Sequence, residues 1–118
     1  MTPEREAELY STHPHLLIYR PGQGENLPMQ FGIECGDGWF DLIYKLSQDM
    51  ESVARENGLS PDSPEWPLCR QVKEKMGSLR FVVFAVDGRL ALHERISELR
   101  LAALNRSLQI CEQCGKLG

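Results

Sequence analysis

Residues 69–86, CRQVKEKMGSLRFVVFAV, carry the strongest strand pattern of the chain. Aromatic and β-branched residues fill the second half of this stretch, and such residues favour extended structure. The pair Gly77-Ser78 separates the halves and is typical of a tight turn. We therefore predict a β-hairpin with arms at residues 69–76 and 79–86. Because apolar side chains occupy both faces of the second arm, that arm is expected to be a buried central strand.

Two long amphipathic segments flank this hairpin. Apolar residues recur every three or four positions over residues 38–57 and again over residues 89–107. This is the spacing of one face of an α-helix, and it predicts two helices whose apolar faces pack in the core. Asp37 or Gly38 is expected to cap the first of them, and the pair Asn57-Gly58 is a typical helix end.

The remaining sequence is less regular. Residues 3–11 are typical of a short helix with proline in its first turn. Apolar runs at residues 16–19 and 29–35 are candidate strands that would widen the sheet. Together these elements predict an α+β fold, in which a small antiparallel sheet built on the hairpin packs against the two main helices. The expected organisation is one domain at residues 1–107 and a C-terminal appendage at residues 108–118.

The composition of the 118-residue chain is ordinary, with 42% hydrophobic and 25% charged residues. It excludes collagenous, low-complexity and wholly disordered proteins. No run approaches the roughly 18 apolar residues of a membrane helix, and the charged N-terminal sequence lacks the apolar core of a secretory signal. We therefore expect a cytoplasmic protein with no membrane partner.

Charge is divided unevenly along the chain, although the formal net charge is only −4. Residues 1–69 contain four Lys/Arg and twelve Asp/Glu, whereas residues 70–118 contain nine and five. The two halves therefore either attract each other within the fold or present two different faces to a partner.

The sequence CEQCG at residues 111–115, here called the cysteine knuckle, has the spacing of half a zinc ribbon. Two intervening residues let both sulfurs point at one ion, and the glycine tolerates the tight turn. A closed structural zinc site needs four ligands, and three completions are open. Cys35 and Cys69 join Cys111 and Cys114 through the fold; a second pair belongs to a longer form of the chain; or the pair is empty or shared across a homodimer. Zinc bound here is expected to be structural.

The sequence ECGDGWFD at residues 34–41 places acids and glycines immediately before a predicted helix. Its carboxylates could bind a cation, or the turn could present a tryptophan to a partner. The alternative is a capped helix start with the tryptophan in the core. A second tryptophan lies in the Pro-rich connector at residues 59–67. The candidate partner-binding residues are Glu34, Asp37, Trp39, Asp41 and Trp66.

Cations cluster on the predicted hairpin beside aromatic residues. Such a surface can bind single-stranded nucleic acid, although charges on a sheet are also typical of a solvated face. The candidate nucleic-acid contacts are Arg70, Lys73, Lys75 and Arg80, with Arg100 and Arg106 on the following helix. No Ser/His/Asp set, phosphate-binding glycine loop or HExxH motif occurs in the sequence, and we therefore expect no enzyme activity.

Three stretches together carry a family resemblance: ECGDGWFDLI at residues 34–43, QVKEKMGSLRFVV at residues 71–83, and the cysteine knuckle. They resemble a group of small uncharacterised proteins of tailed phages and prophages. Those proteins share the acidic turn, the hairpin and a zinc-ribbon-like C-terminus, and they usually continue to a second Cys/His pair. The resemblance implies a phage or prophage origin and action inside a bacterial cell, and it implies no particular activity.

The leading hypothesis from the sequence is a small non-catalytic accessory protein that binds a bacterial host protein. It would modulate or inhibit that protein, for example a defence component, and act as a monomer or homodimer. The alternative is a zinc-ribbon regulator that binds nucleic acid. A metal-dependent enzyme that uses Glu34, Asp37 and Asp41 is the third hypothesis.

Overall fold

The computed structural model describes residues 1–18, 32–84 and 89–117. A 3-10 turn at Asp37–Trp39 leads into the second helix. Three helices and a small three-stranded mixed sheet confirm the predicted α+β fold. The elements in chain order are helix α1 (Pro3–Thr12), strand β1 (Ile33–Glu34), helix α2 (Phe40–Glu56), strand β2 (Leu68–Lys75), strand β3 (Ser78–Phe84) and helix α3 (Leu90–Ser107).

The sheet has the strand order β1-β2-β3. Strands β2 and β3 form the predicted antiparallel hairpin, with Val72 opposite Phe81. Strand β1 runs parallel to β2, with Ile33 opposite Val72. The sheet is therefore mixed rather than antiparallel as predicted. The reason is the crossover, because α2 carries the chain back between the two parallel strands.

Strand β3 lies at the edge of the described sheet, whereas its apolar sequence predicts a central strand. Helix α3 accounts for the difference, because its last turn binds the strand. The Leu79 N–H donates to Ser107 Oγ at 2.9 Å, and Leu79 and Phe81 are only 2% and 3% exposed. A helix that covers an edge strand gives it the same apolar pattern as a central one. Residues 85–86 of the predicted arm lie outside the described residues.

The hairpin turn consists of Met76 and Gly77, one residue earlier than predicted. Lys75 pairs with Ser78 and closes the turn. Met76 has φ 54° and Gly77 has φ 81°. Two positive φ angles are typical of a type I′ turn, which suits the right-handed twist of a hairpin. Glycine adopts this conformation freely, whereas methionine rarely does.

Both predicted long helices are present, and their apolar faces pack in the core. Helix α2 buries Phe40, Ile43, Leu46, Met50 and Val53. Helix α3 buries fewer apolar side chains, Leu92, Ile96 and Ala103. None of the helices within the described ranges combines the length and apolar composition that a membrane crossing requires.

The N-terminal region differs from its prediction, although helix α1 is confirmed. Residues 16–17 form a turn instead of a strand, and the Leu16 carbonyl accepts a hydrogen bond from Cys69 N at 2.9 Å. Of the strand predicted at residues 29–35, the described part forms only β1. Residues 19 and 29–31, which complete these two predictions, lie outside the described residues.

Candidate functional site

The glycine turn, residues 36–38, contacts the cysteine knuckle. Gly38 N donates to the Glu112 carbonyl at 2.6 Å, and Gly36 N donates to Glu112 Oε2 at 3.1 Å. Gly36 and Glu112 are 76 residues apart in the sequence. The acidic turn and the cysteine pair, which are two separate motifs in the sequence, therefore form one structural unit.

Close approach of two backbones explains why this turn contains glycine. A Cβ on Gly38 would lie 2.5 Å from Gly115 N and 2.6 Å from the Glu112 carbonyl oxygen, and closer still to the Cys111 carbonyl oxygen. A Cβ on Gly36 would also overlap the Glu112 backbone. Side chains at these positions would push the two segments apart, so the contact depends on both glycines.

Trp39 strengthens the same contact. Its indole is 1% exposed, and Nε1 donates to the Ile110 carbonyl at 2.9 Å. The second candidate anchor, Trp66, is 5% exposed, and the Arg55 guanidinium lies 5.4 Å from its ring centroid. Both tryptophans are core residues in this structure. Neither ring is exposed as a surface anchor here, and for Trp39 this agrees with the alternative of a tryptophan in the core.

The acids of residues 34–41 do not converge on a point. Glu34 and Asp41 are exposed. Asp37 Oδ1 accepts a hydrogen bond from Thr2 N at 2.7 Å, and this bond lowers the pKa of the carboxyl. Asp37 therefore binds the start of α1 and does not cap α2. Within the described residues, no group of three or more His, Cys, Asp or Glu side chains could hold a metal ion.

Cys111 and Cys114 are exposed, and backbone hydrogen bonds shape the loop between them. Gly115 N donates to the Cys111 carbonyl, and Cys111 N donates to the Lys116 carbonyl, both at 2.8 Å. The amides of Cys114 and Gln113 also bond the Cys111 sulfur and lower the pKa of its thiol. Donors aimed at a sulfur favour the thiolate, which is the form that binds zinc.

Unlike Cys111 and Cys114, the side chains of Cys35 and Cys69 are buried, with exposed fractions of 7% and 0%. Burial raises the pKa of each thiol to about 12. In the metal-free protein both thiols therefore remain protonated near neutral pH, and zinc binding at either one would require release of its proton. The described structure does not gather the four cysteines into one site, and completion of the cysteine pair stays a prediction.

An open groove of about 440 Å³ lies between α2 and α3. Leu46 and Ala103, at 4% and 6% exposure, are buried beneath it. The groove was not predicted from the sequence, because the spacing of the apolar residues here is equally typical of a closed core. The sequence does contain one signal for the groove, the pair Ala102-Ala103, whose small side chains leave space between the helices. The lining residues are Asp41, Leu42, Lys45, Leu46, Asp49, Leu99, Ala102, Ala103, Arg106 and Ile110.

The four candidate nucleic-acid residues of the hairpin do not share one face, and Arg100 and Arg106 lie on α3. Lys73 lies directly opposite Arg80. Lys75 is two residues from Lys73 and so lies on the same side of the strand. Arg70 lies at an irregularity in the register between its neighbours. The hairpin therefore presents a small basic face of three residues, and Arg70 lies outside that regular pattern.

Comparison with known proteins adds no assignment: no protein-family model matches the chain, and neither the curated proteins nor the solved structures contain a significant match. The candidate site is therefore supported by the geometry of this chain alone.

Proposed function

We propose that this chain is a small non-catalytic accessory protein of a phage or prophage, which acts inside a bacterial cell by binding a host protein. Binding would modulate or inhibit that protein, for example a component of bacterial defence. The observation that supports a binding role is the open apolar groove between α2 and α3. The phage origin and the bacterial partner rest on the resemblance of the three sequence motifs.

The groove has the composition of a protein-contact surface. Its floor is apolar, and its rim carries charges of both signs. Lys45 Nζ and Asp49 Oδ2 form an ion pair at 2.8 Å on the α2 side, and Arg106 lies on the α3 side. An apolar centre with a polar rim is the usual arrangement of an interface, in which the rim sets orientation.

The length of the groove suggests the shape of its occupant. Its α2 wall runs from Asp41 to Asp49, which corresponds to about 12 Å of helix. That distance accommodates about two turns of a partner helix. We therefore propose that the host protein contributes an amphipathic helix, whose apolar side chains at i, i+3 and i+4 enter the groove.

A pair of matched variants tests the groove. Ala102 and Asn105 are both exposed on α3, but only Ala102 lines the groove. Ala102→Glu adds a charge to the apolar surface, whereas Asn105→Glu adds the same charge outside it. Bacterial lysate is passed over the wild type and both variants, and retained proteins are identified by mass spectrometry. The interaction is then measured with the purified partner.

The proposal predicts that one protein binds the wild type and Asn105→Glu equally. Ala102→Glu should weaken this binding at least about tenfold, because a carboxylate in an apolar contact must lose its hydration, a cost that an i,i+4 pair with Arg106 offsets only in part. Equal melting temperatures of the two variants show that folding is intact. Equal binding by both variants, or no specific retention by the wild type, would contradict the proposal.

We also propose a structural zinc ion with Cys111 and Cys114 as ligands. The support is their exposure, their spacing and the amide donors directed at the Cys111 sulfur. Zinc binding should be abolished by Cys111→Ser, and uptake by purified, reduced protein measures it directly. The two cysteines account for half of a closed site.

Nucleic-acid binding is the second candidate function, and the pairing of Lys73 with Arg80 favours it. Like charges directly opposite each other destabilise a hairpin, and a bound phosphate would relieve their repulsion. Binding to a labelled single-stranded oligonucleotide should weaken steeply as salt increases. The double variant Lys73→Glu/Arg80→Glu should abolish it, and absence of binding by the wild type at low salt would exclude this function.

A further inference from the structure

We propose that the cysteine knuckles of two copies of this chain bind one zinc ion between them, so that the metal holds a homodimer together. This inference rests on the proposed zinc ligands and specifies where the other two ligands come from. It concerns the knuckle and the leucines beside it, which share only Ile110 with the α2–α3 groove.

The knuckle provides two accessible ligands on a fixed support. Both thiols are exposed, and the loop between them is fixed by hydrogen bonds to the glycine turn and to Lys116. Structural zinc sites are tetrahedral and closed by four protein ligands. The described part of the chain places no third His, Cys, Asp or Glu side chain with this pair.

A second copy of the chain can supply the missing half. A two-fold axis through the metal brings an identical pair of thiolates to the opposite side, which gives four sulfur ligands in a tetrahedron. A two-fold interface is self-complementary, so one surface is sufficient to build it. Thiolates are soft ligands and favour zinc over magnesium or calcium.

Exposed leucines border the cysteine pair and support the choice of partner. Leu108, three residues before Cys111, is 57% exposed, and Leu117, three residues after Cys114, is 73% exposed. Leu117 forms an isolated antiparallel bridge with Ile110, so the leucine lies beside the knuckle. Large apolar side chains grouped on a surface indicate an interaction site.

Helix α3 extends this apolar surface. Leu101 is 60% exposed, Leu104 is half-buried, and Leu108 follows at the end of the helix. Their spacing of three and four residues places them on one side of α3. The buried side chains of the helix, Leu92 and Ile96, fall on another side. The leucine face would be covered by the same face of a second copy.

The small size of the leucine face explains why metal is needed for a stable dimer. A stable protein interface buries about 800 Å² on each partner. Three or four leucines expose less than this, so the apolar contact by itself holds the two copies weakly. Zinc–thiolate bonds supply the remaining affinity, and dimer formation should therefore be controlled by zinc.

The test is a zinc titration of the full, reduced chain followed by native mass spectrometry and analytical ultracentrifugation. The expected result is a monomer without zinc, and a dimer with one zinc ion per two chains when zinc is added. A chelator should return the dimer to monomer. Cys114→Ser should lose both zinc and dimer, whereas Gln113→Ser, a change at the neighbouring exposed position, should keep both.

A second variant separates the leucine contact from the metal. Leu108→Glu leaves all thiols in place and should raise the dissociation constant of the zinc-bound dimer at least about tenfold, because it removes one leucine from each of the two protomers at the interface. One zinc ion per monomer would overturn the shared site and leave the proposed ligands intact. No zinc uptake would overturn both, and a dimer that survives the chelator would overturn the role of the metal.

Discussion

The glycine turn and the hairpin turn both depend on glycine, but for different physical reasons. At Gly38, backbone atoms of the cysteine knuckle occupy the space where a Cβ would lie. At Gly77, nothing lies within 4 Å of that position, and the requirement is the positive φ of 81°. The first glycine therefore permits a contact between distant segments, whereas the second satisfies a local backbone conformation. Substitutions at the two turns should differ in size and in how far their effects spread.

The largest effect is expected from Gly38→Ala. The added methyl group overlaps the backbone of the cysteine knuckle, which cannot move aside as a flexible side chain can. We expect a loss of about 3 kcal/mol in the free energy of unfolding, together with release of the knuckle. Urea unfolding measures the first effect, and faster hydrogen exchange at the Gly115 amide measures the second. A loss below about 0.5 kcal/mol would show that the contact is loose.

A smaller effect is expected from Trp39→Phe. This change removes the hydrogen bond from Nε1 and leaves the Ile110 carbonyl without that donor. We expect a loss of about 1.5 kcal/mol in unfolding free energy and faster amide exchange in the knuckle. Trp66→Phe is the control, because it removes a similar volume from the core far from this contact. Equal exchange in the two variants would contradict a tethering role for Trp39.

Gly77→Ala should cost about 1 kcal/mol in unfolding free energy, because alanine is strained at positive φ while its methyl group meets no atom. Its effect should stay within the hairpin. Amide exchange of the cysteine knuckle in this variant should therefore match the wild type. Faster exchange there would show that the two turns are energetically coupled, and the contrast between them would not hold.

The smallest effect is a gain in stability from Met76→Asn. Met76 is 90% exposed and has φ 54°, so its side chain contributes little packing while its backbone is strained. Asparagine tolerates this conformation, and Asn-Gly is a preferred type I′ sequence. We expect thermal and urea unfolding to show a gain of about 0.5 kcal/mol. Met76→Val is the opposite control and should lower the stability, because a β-branched residue resists positive φ.

Helices and strands whose pattern lies within their own residues could be predicted from the sequence. Helices α2 and α3 follow the spacing of their apolar residues, and the hairpin follows its β-branched and aromatic residues. The turn was misplaced by one residue because a methionine at positive φ has no local signal. The edge position of β3 was missed because its cover, the last turn of α3 at Ser107, comes from elsewhere in the chain.

The candidate site was less predictable, because it depends on contacts between distant segments. The glycines and cysteines were recognised as separate motifs, but nothing in either stretch shows that Gly38 bonds Glu112. The dependence on distant contacts also explains why the sequence left the position of Trp39 open. A tryptophan after an exposed acidic turn is compatible with a surface anchor or a core residue, and its bond to Ile110 decides for the core.

The contact between the glycine turn and the cysteine knuckle also imposes an order on folding during translation. The ribosome releases α2 and the hairpin first, and the amides of Gly36 and Gly38 can meet Glu112 only when residues 110–115 have emerged. A nascent chain stalled before residue 110 would contain both long helices and the hairpin, yet the start of α2 would lack its attachment. In this protein, a turn made before α2 is secured only after the segment that follows α3 has been synthesised.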